Sequence, residues 1–296
     1  MPDLPYYKLK KDVKYYLQSS LDNFGSGKRF FMWSGTKIDN YLNMALRVQE
    51  PHLKKDNFSQ DENLHFDYYS IKRFSHQLNE ACNKLWGSIE LAYAVKSNRL
   101  CQKFTYEFSG GSLIPNLYYS VLSAMVSSMC GFGIISFRHI SEQKDYFLIR
   151  TAGGWQLFPR KDYIISISKK PVKGWHEESI KTYETLIELG YELPNIDFNE
   201  LSELRKLRNK FHYYILGKTS MEEFFGIDEF FEHLPFVLNV IKDGFDLLCY
   251  LHKDLRKMDE RFKDINENIY KLFDLYGKDK SKLPFFVNIP KNDIVI

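Results

Sequence analysis

Apolar residues recur at spacings of three and four along most of this chain, and that period breaks once, at about residues 132–168. A helix turns about 100° per residue, so such spacing gathers apolar side chains on one face. Before the break, Phe74, Leu78, Cys82, Leu85, Trp86, Ile89 and Tyr93 predict a long helix from Phe66 to about Phe104. Residues 6–22 and 36–49 predict two shorter helices with the turn FGSGKRF between them, and EPHLKKDNFSQDEN reads as an exposed connection. Inside the break, GIISFRHI, DYFLIRT, WQLFPR and YIISISK are short, rich in β-branched and aromatic residues, and separated by turn formers such as Gly153-Gly154. They predict a small antiparallel sheet inserted in a helical protein. Helices resume over 175–189, 198–216, 228–256 and 260–276, with Gly190 as a C-terminal cap and Asp197 or Asn199 as an N-terminal one. The expected fold class is mainly α (α+β). An N-terminal helical segment spans 1–65, and a helical domain over 66–296 carries the β insertion at about 132–168.

No charge occurs between Phe108 and Phe137, a run long enough to cross a bilayer. Gly110-Gly111, Pro115, Gly131, Gly133 and seven serines punctuate it, so NLYYSVLSAMVSSMC reads as a buried helix whose small residues let a neighbour approach closely. No membrane contact is expected. Four widely spaced cysteines, Cys82, Cys101, Cys130 and Cys249, form no C-x-x-C pair. That spacing points away from a zinc ribbon or a secreted disulfide framework and toward a reducing cytosol. The N-terminus has no apolar core after its charges, unlike a signal peptide. A net charge of +3, from 41 basic and 38 acidic residues, is too small for strong non-specific attraction to nucleic acid. Lys8, Lys10, Lys11 and Lys14 read either as a helix's solvated face or as a contact for an acidic partner. The apolar tail LPFFVNIPKNDIVI is expected to dock on the body or on a partner subunit.

The helix around LSELRKLRNKFHYY carries the most suggestive chemistry. With Arg205 as origin, His212 lies about 20° away, Arg208 about 60° on the same side and Asn209 about 40° on the other. Leu204, Leu207, Phe211, Tyr214 and Ile215 form the apolar face, while Glu203, Lys206 and Lys210 face solvent. The polar stripe therefore borders the core. Arginine presents a planar fork of donors matched to phosphoryl oxygens, histidine titrates near neutrality, and asparagine can orient either group. Such a set suits attack of an RNA 2′-hydroxyl on its own phosphorus, which needs a base, an acid and charge stabilisation but no metal. Alternatively, Arg205 and Arg208 pair with Glu229, Glu232 or Asp246 on a neighbouring helix.

Arg208-Asn209 followed by His212, late in a helical domain, resembles the signature of the HEPN superfamily. In that family an Arg, usually followed by a polar residue, precedes a His by four to six intervening positions. Here the pattern is divided: three residues separate Arg208 from His212, while Arg205 has six but is followed by Lys206. Arg47 and His52 match the spacing too, but Pro51 interrupts any helix there. The resemblance implies a HEPN-like helical bundle that pairs as a homodimer with a composite cleft. It implies a metal-independent endoribonuclease of a toxin or anti-phage defence type, acting on RNA in the cytoplasm without cofactor or metal. His212 would be general acid/base, Arg208 with Arg205 would stabilise the phosphorane, and Asn209 would position them. A partner protein of the same module is also implied, as is the alternative of a non-catalytic HEPN-like interaction or regulatory module. A fainter similarity, to bacterial YaaC-like proteins, covers the YY-containing small-residue helix, the glycine turn, the Gly-Gly-Trp-Gln-Leu-Phe hairpin and the later helices. It implies architecture alone.

Other candidates carry less. FGSGKRF lacks the glycine and the Ser or Thr of a phosphate loop. Trp175-His176-Glu177-Glu178 contains metal-ligand types without metal-ligand spacing, and the macrodipole accounts for acidic residues at a helix start. Tyr118-Tyr119 reads as a buried aromatic pair or as a base-stacking platform. His139, His233 and His252 have no evident partners in the sequence.

Overall fold

The computed structural model describes residues 4–25, 58–97, 113–139, 144–172, 174–213, 225–251, 257–281 and 283–284. Within them the order is α1 (Lys10–Gly25), α2 (Gln60–Lys96), α3 (Leu113–Gly131), β1 (Ile134–His139), β2 (Lys144–Thr151), β3 (Gly154–Pro159), α4 (Arg160–Ser168), α5 (Trp175–Glu188), α6 (Phe198–Tyr213), α7 (Ile227–Leu251) and α8 (Lys257–Tyr276). The protein is mainly helical with one small antiparallel sheet. The expected helix at 36–49, the turn FGSGKRF after Gly25, the run 98–112 and all of the tail beyond Pro284 lie outside the described residues.

The small-residue helix α3 is the hub. It is buried on nearly every side and packs against α2, α5, α6 and α7. Three of its serines bond locally or across the helix contact: Ser120 donates to the Asn116 carbonyl at 2.8 Å, Ser127 to that of Phe74 at 2.6 Å and Ser128 to that of Ala124 at 3.1 Å. From α2, Ser88 reaches the Leu113 carbonyl at 3.0 Å and Ser70 that of Cys130. Buried hydroxyls must find such partners. A Cβ on Gly131 would come 3.0 Å from the buried Phe74 ring, which would have to shift to admit it.

Helix α2 begins inside the segment read as an exposed connection. Ser59 accepts from the Glu62 amide, and the Glu62 carboxylate accepts from the Ser59 amide at 2.7 Å, forming a capping box that starts the helix before its apolar pattern does.

The sheet has three strands in the order β1-β2-β3, both pairs antiparallel, with Thr151 opposite Gly154 across a two-residue turn. Phe147, Leu148 and Ile149 are all buried, so the central strand is covered on both faces. Trp155 pins the hairpin to α2: its indole donates to Asp67 at 2.5 Å and its amide to Asn63 at 2.7 Å. The expected fourth strand, YIISISK, is instead helix α4. Arg160, Tyr163 and Ile164 are its buried residues, a helical spacing that the β-branched composition hid.

Helix α5 ends in a Schellman motif. Gly190, at φ 86°, donates to Ile187 at 2.9 Å, and Tyr191 donates to Leu186 at 3.0 Å. Asp197 caps α6 by accepting from the Asn199 and Glu200 amides at 2.9 and 3.2 Å, so Asn199 is inside the helix rather than its cap. No described helix is long and apolar enough to cross a membrane.

Candidate functional site: an arginine cluster between α3, α5 and α6

Helix α6 lays Leu201, Leu204 and Phe211 into the core, which fixes the rotation of its polar stripe. Arg205 and Arg208 are half-buried at the core edge, and Asn209, Lys206 and Lys210 are exposed. Arg208 is held from three directions. Its Nη1 donates to the Asn209 side-chain oxygen at 2.7 Å, and its Nη2 lies 3.1 Å from Nδ1 of His176 on α5. Its guanidinium carbon lies 5.2 Å from the centre of the Tyr118 ring and 5.4 Å from that of Tyr119, both on α3. A guanidinium only donates, so Nδ1 of His176 is the acceptor and the ring's proton sits on Nε2.

The two arginines are not tied to the acids expected on the neighbouring helix. Glu229 faces Lys210 at 3.6 Å and Asp246 pairs with Lys242 at 2.6 Å. Among the described residues, no carboxylate pairs with Arg205 or Arg208. The backbone of His212 lies one turn beyond Arg208 on α6, while its side chain lies outside the described residues.

Sequence reasoning missed His176, which was grouped with the acidic residues that open α5. Burial first, then the nearby Arg208 and Arg205 charges, pull its imidazole down to about 4. It is therefore neutral at physiological pH. Its ring stands edge-on to Tyr118, Tyr119 and Trp175, at centroid separations of 5.7, 5.3 and 5.0 Å. Tyr118 and Tyr119 also meet edge to face, 5.5 Å apart. Tyr118 is fully buried, while Trp175 remains 42% exposed. Burial raises the Tyr118 phenol, against the lowering pull of the arginines, so it stays protonated.

Two polar atoms here are buried with no hydrogen-bond partner among the described residues: Tyr118 Oη and Arg208 Nε. An orphaned buried donor costs about 1–3 kcal/mol, so the fold tolerates an unfavourable arrangement beside two guanidinium groups that meet no carboxylate among the described residues. Chemically the cluster is suited to an anion with several acceptor oxygens.

Helix α5 owes its placement to a second polar cluster that the sequence did not reveal. Arg160, 1% exposed at the β3–α4 junction, donates to Glu178 of α5 at 2.6 Å, to Asp145 at 2.8 Å and to Ser136 at 3.0 Å. Glu178 follows His176 by two residues, so this buried pair holds the turn of α5 that presents the imidazole. His233, read as lacking a partner, sits 2.5 Å from Glu200. An open groove of about 690 Å³ lined by Leu9, Lys10, Lys11, Glu192, Leu193 and Tyr250 shares no residue with the arginine cluster.

No protein-family model, curated protein or solved structure matches the chain.

Proposed function

We propose that the protein is a metal-independent endoribonuclease of a toxin or anti-phage defence type, with Arg205, Arg208, Asn209 and His212 as its working residues. The observation that carries this reading is the pair of half-buried arginines, free of carboxylate partners among the described residues, with Arg208 aimed by Asn209 and His176. In the proposed step the RNA 2′-oxygen bonds to the adjacent phosphorus while the bond from phosphorus to the 5′-oxygen breaks. The 2′-hydroxyl proton passes to a base and the 5′-oxygen leaves protonated, giving 2′,3′-cyclic phosphate and 5′-hydroxyl ends. His212 moves these protons, and the guanidinium groups stabilise charge on the phosphorane. On this reading the protein works in the cytoplasm as a homodimer whose α6 helices face one cleft, under the control of a partner protein of the same module.

The cellular test is inducible expression of the wild type and of the Arg208→Ala and His212→Ala variants. Growth arrest with fragmented RNA, lost in both variants at equal protein level, supports the nuclease. Intact RNA with an oligomeric state changed by the same substitutions supports the alternative, a HEPN-like interaction or regulatory module.

A further inference from the structure

The cluster has two unlike halves. Arg205, Arg208 and the neutral His176 form a cationic, donor-rich floor. Beside it stands an aromatic wall of Tyr118, Tyr119, His176 and Trp175, whose outermost ring is among the most exposed large apolar groups of the described residues. At 42% exposure, part of the indole faces solvent. A nucleobase offers it a flat face, and stacking on aromatic rings beside a cationic groove is how single strands are held without base-specific readout.

We infer that Arg205, Arg208 and His176 hold a phosphoryl group of single-stranded RNA while Trp175 stacks on the adjoining base. This rests on the nuclease reading and names its substrate as unpaired RNA. In a duplex the stacking of neighbouring base pairs covers the face that Trp175 needs, so the geometry favours unpaired RNA over a duplex. The phosphoryl oxygens accept from the guanidinium groups and from Nε2–H of His176, and their negative charge relieves the mutual repulsion of Arg205 and Arg208. The groups facing His176 are Arg205 and Arg208 from α6 and Tyr118 and Tyr119 from α3, with Glu177 beside it on α5. With the phosphodiester anion in place, the positive field of Arg208 and Arg205, which adds to burial in suppressing the imidazolium, weakens, so its proton affinity rises.

The test uses the full chain with two probes, inorganic phosphate and a short single-stranded oligoribonucleotide carrying 2′-O-methyl groups, which cannot be cleaved. The His176 ring is followed by NMR while pH is varied, and oligonucleotide affinity is measured by fluorescence anisotropy. Phosphate is expected to raise the midpoint of the His176 titration by about one pH unit, a tenfold change in proton affinity. Arg205→Gln, which removes a side chain without a hydrogen bond among the described residues, should abolish that shift without disturbing the fold. Trp175→Ala should weaken the oligonucleotide by about tenfold while leaving the phosphate response intact. A duplex of the same sequence should bind no better to the wild type than to Trp175→Ala.

The inference is overturned if phosphate leaves the His176 titration unmoved, or if Trp175→Ala binds the single strand as the wild type does. These results are separable from the nuclease reading. Binding as described without cleavage of unmodified RNA refutes the catalysis and keeps the subsite. Cleavage without the Trp175 and His176 responses does the reverse.

Discussion

His176 and Asp67 place opposite pH dependences in one fold. An imidazole held down at about 4 in the folded chain, against an ordinary 6.5, binds its proton more readily when unfolded. Its contribution to stability is complete above pH 6.5 and is lost as pH falls toward 4. Burial pushes Asp67 up to about 7 from 3.8, despite the lowering pull of Arg150 and the Trp155 hydrogen bond. There the folded chain holds the proton, so stability is complete below 3.8 and declines as pH rises to about 7. Urea unfolding across this range should separate the two. Relative to wild type, His176→Gln should gain stability as pH falls from 6.5 to 4, and Asp67→Asn should gain it as pH rises from 3.8 to 7. Parallel curves would refute both assignments. The orphaned hydroxyl of Tyr118 yields a further expectation. Tyr118→Phe should leave thermal stability unchanged or raise it by up to about 1 kcal/mol, since no hydrogen bond is lost and a buried donor disappears. A loss of more than that would mean the hydroxyl is partnered.

At the scale of elements, the buried pair of Arg160 and Glu178 joins the sheet to α5. With side chains 1% and 3% exposed, removing Arg160 leaves the Glu178 carboxylate buried without its cation, whereas removing Glu178 leaves Arg160 with Asp145 and Ser136. Arg160→Ala should cost about 3–5 kcal/mol in chemical unfolding, and Glu178→Ala less, because Asp145 still pairs with Arg160. The double variant should cost less than the sum, because each single loss already breaks the same pair. Additive losses would mean that the two side chains act independently. Gly226, at φ 66° just before α7, packs against α6 so closely that an added Cβ would lie 2.4 Å from the Phe211 ring. Gly226→Ala should therefore destabilise by more than about 2 kcal/mol, from backbone strain plus overlap, and loosen the end of α6 that follows Arg208.

These elements also show what was legible in the sequence. The long apolar periods of α2 and α7 were readable because burial repeats at the helical period over many turns, and α3 was readable as an uncharged run of small and apolar residues. Helix α4 was not, because Ile164, Ile165 and Ile167 look like a strand locally, whereas Tyr163, Ile164 and Ile167 turn one helical face to the core. The polar stripe of α6 could be drawn from periodicity alone. Its neighbour His176 could not, since Arg208 lies far from it in sequence and only the shared packing of α5 and α6 on α3 brings them together. Glu178 looked like an ordinary acidic residue at a helix start for the same reason.

Over the whole molecule, one core runs from Val13 and Leu17 of α1 to Leu272 and Phe273 of α8, and the N-terminal segment is stitched to the α5–α6 connection. Glu192 donates its amide to the Lys8 carbonyl at 3.0 Å and accepts from the Lys10 amide at 2.8 Å, while the Tyr191 hydroxyl reaches the Pro5 carbonyl. The body that positions α3, α5 and α6 is thus closed through contacts distant in sequence, and the arginine cluster lies where those three helices meet. The most direct measurement of what that cluster does is the chemistry of RNA ends. Purified protein is incubated with single-stranded RNA in EDTA, and the products are resolved by mass spectrometry. The account predicts 2′,3′-cyclic phosphate and 5′-hydroxyl ends from the wild type, reduced by at least about a hundredfold in Arg208→Ala and in His212→Ala. Intact RNA, or cleavage that survives both substitutions, would contradict it.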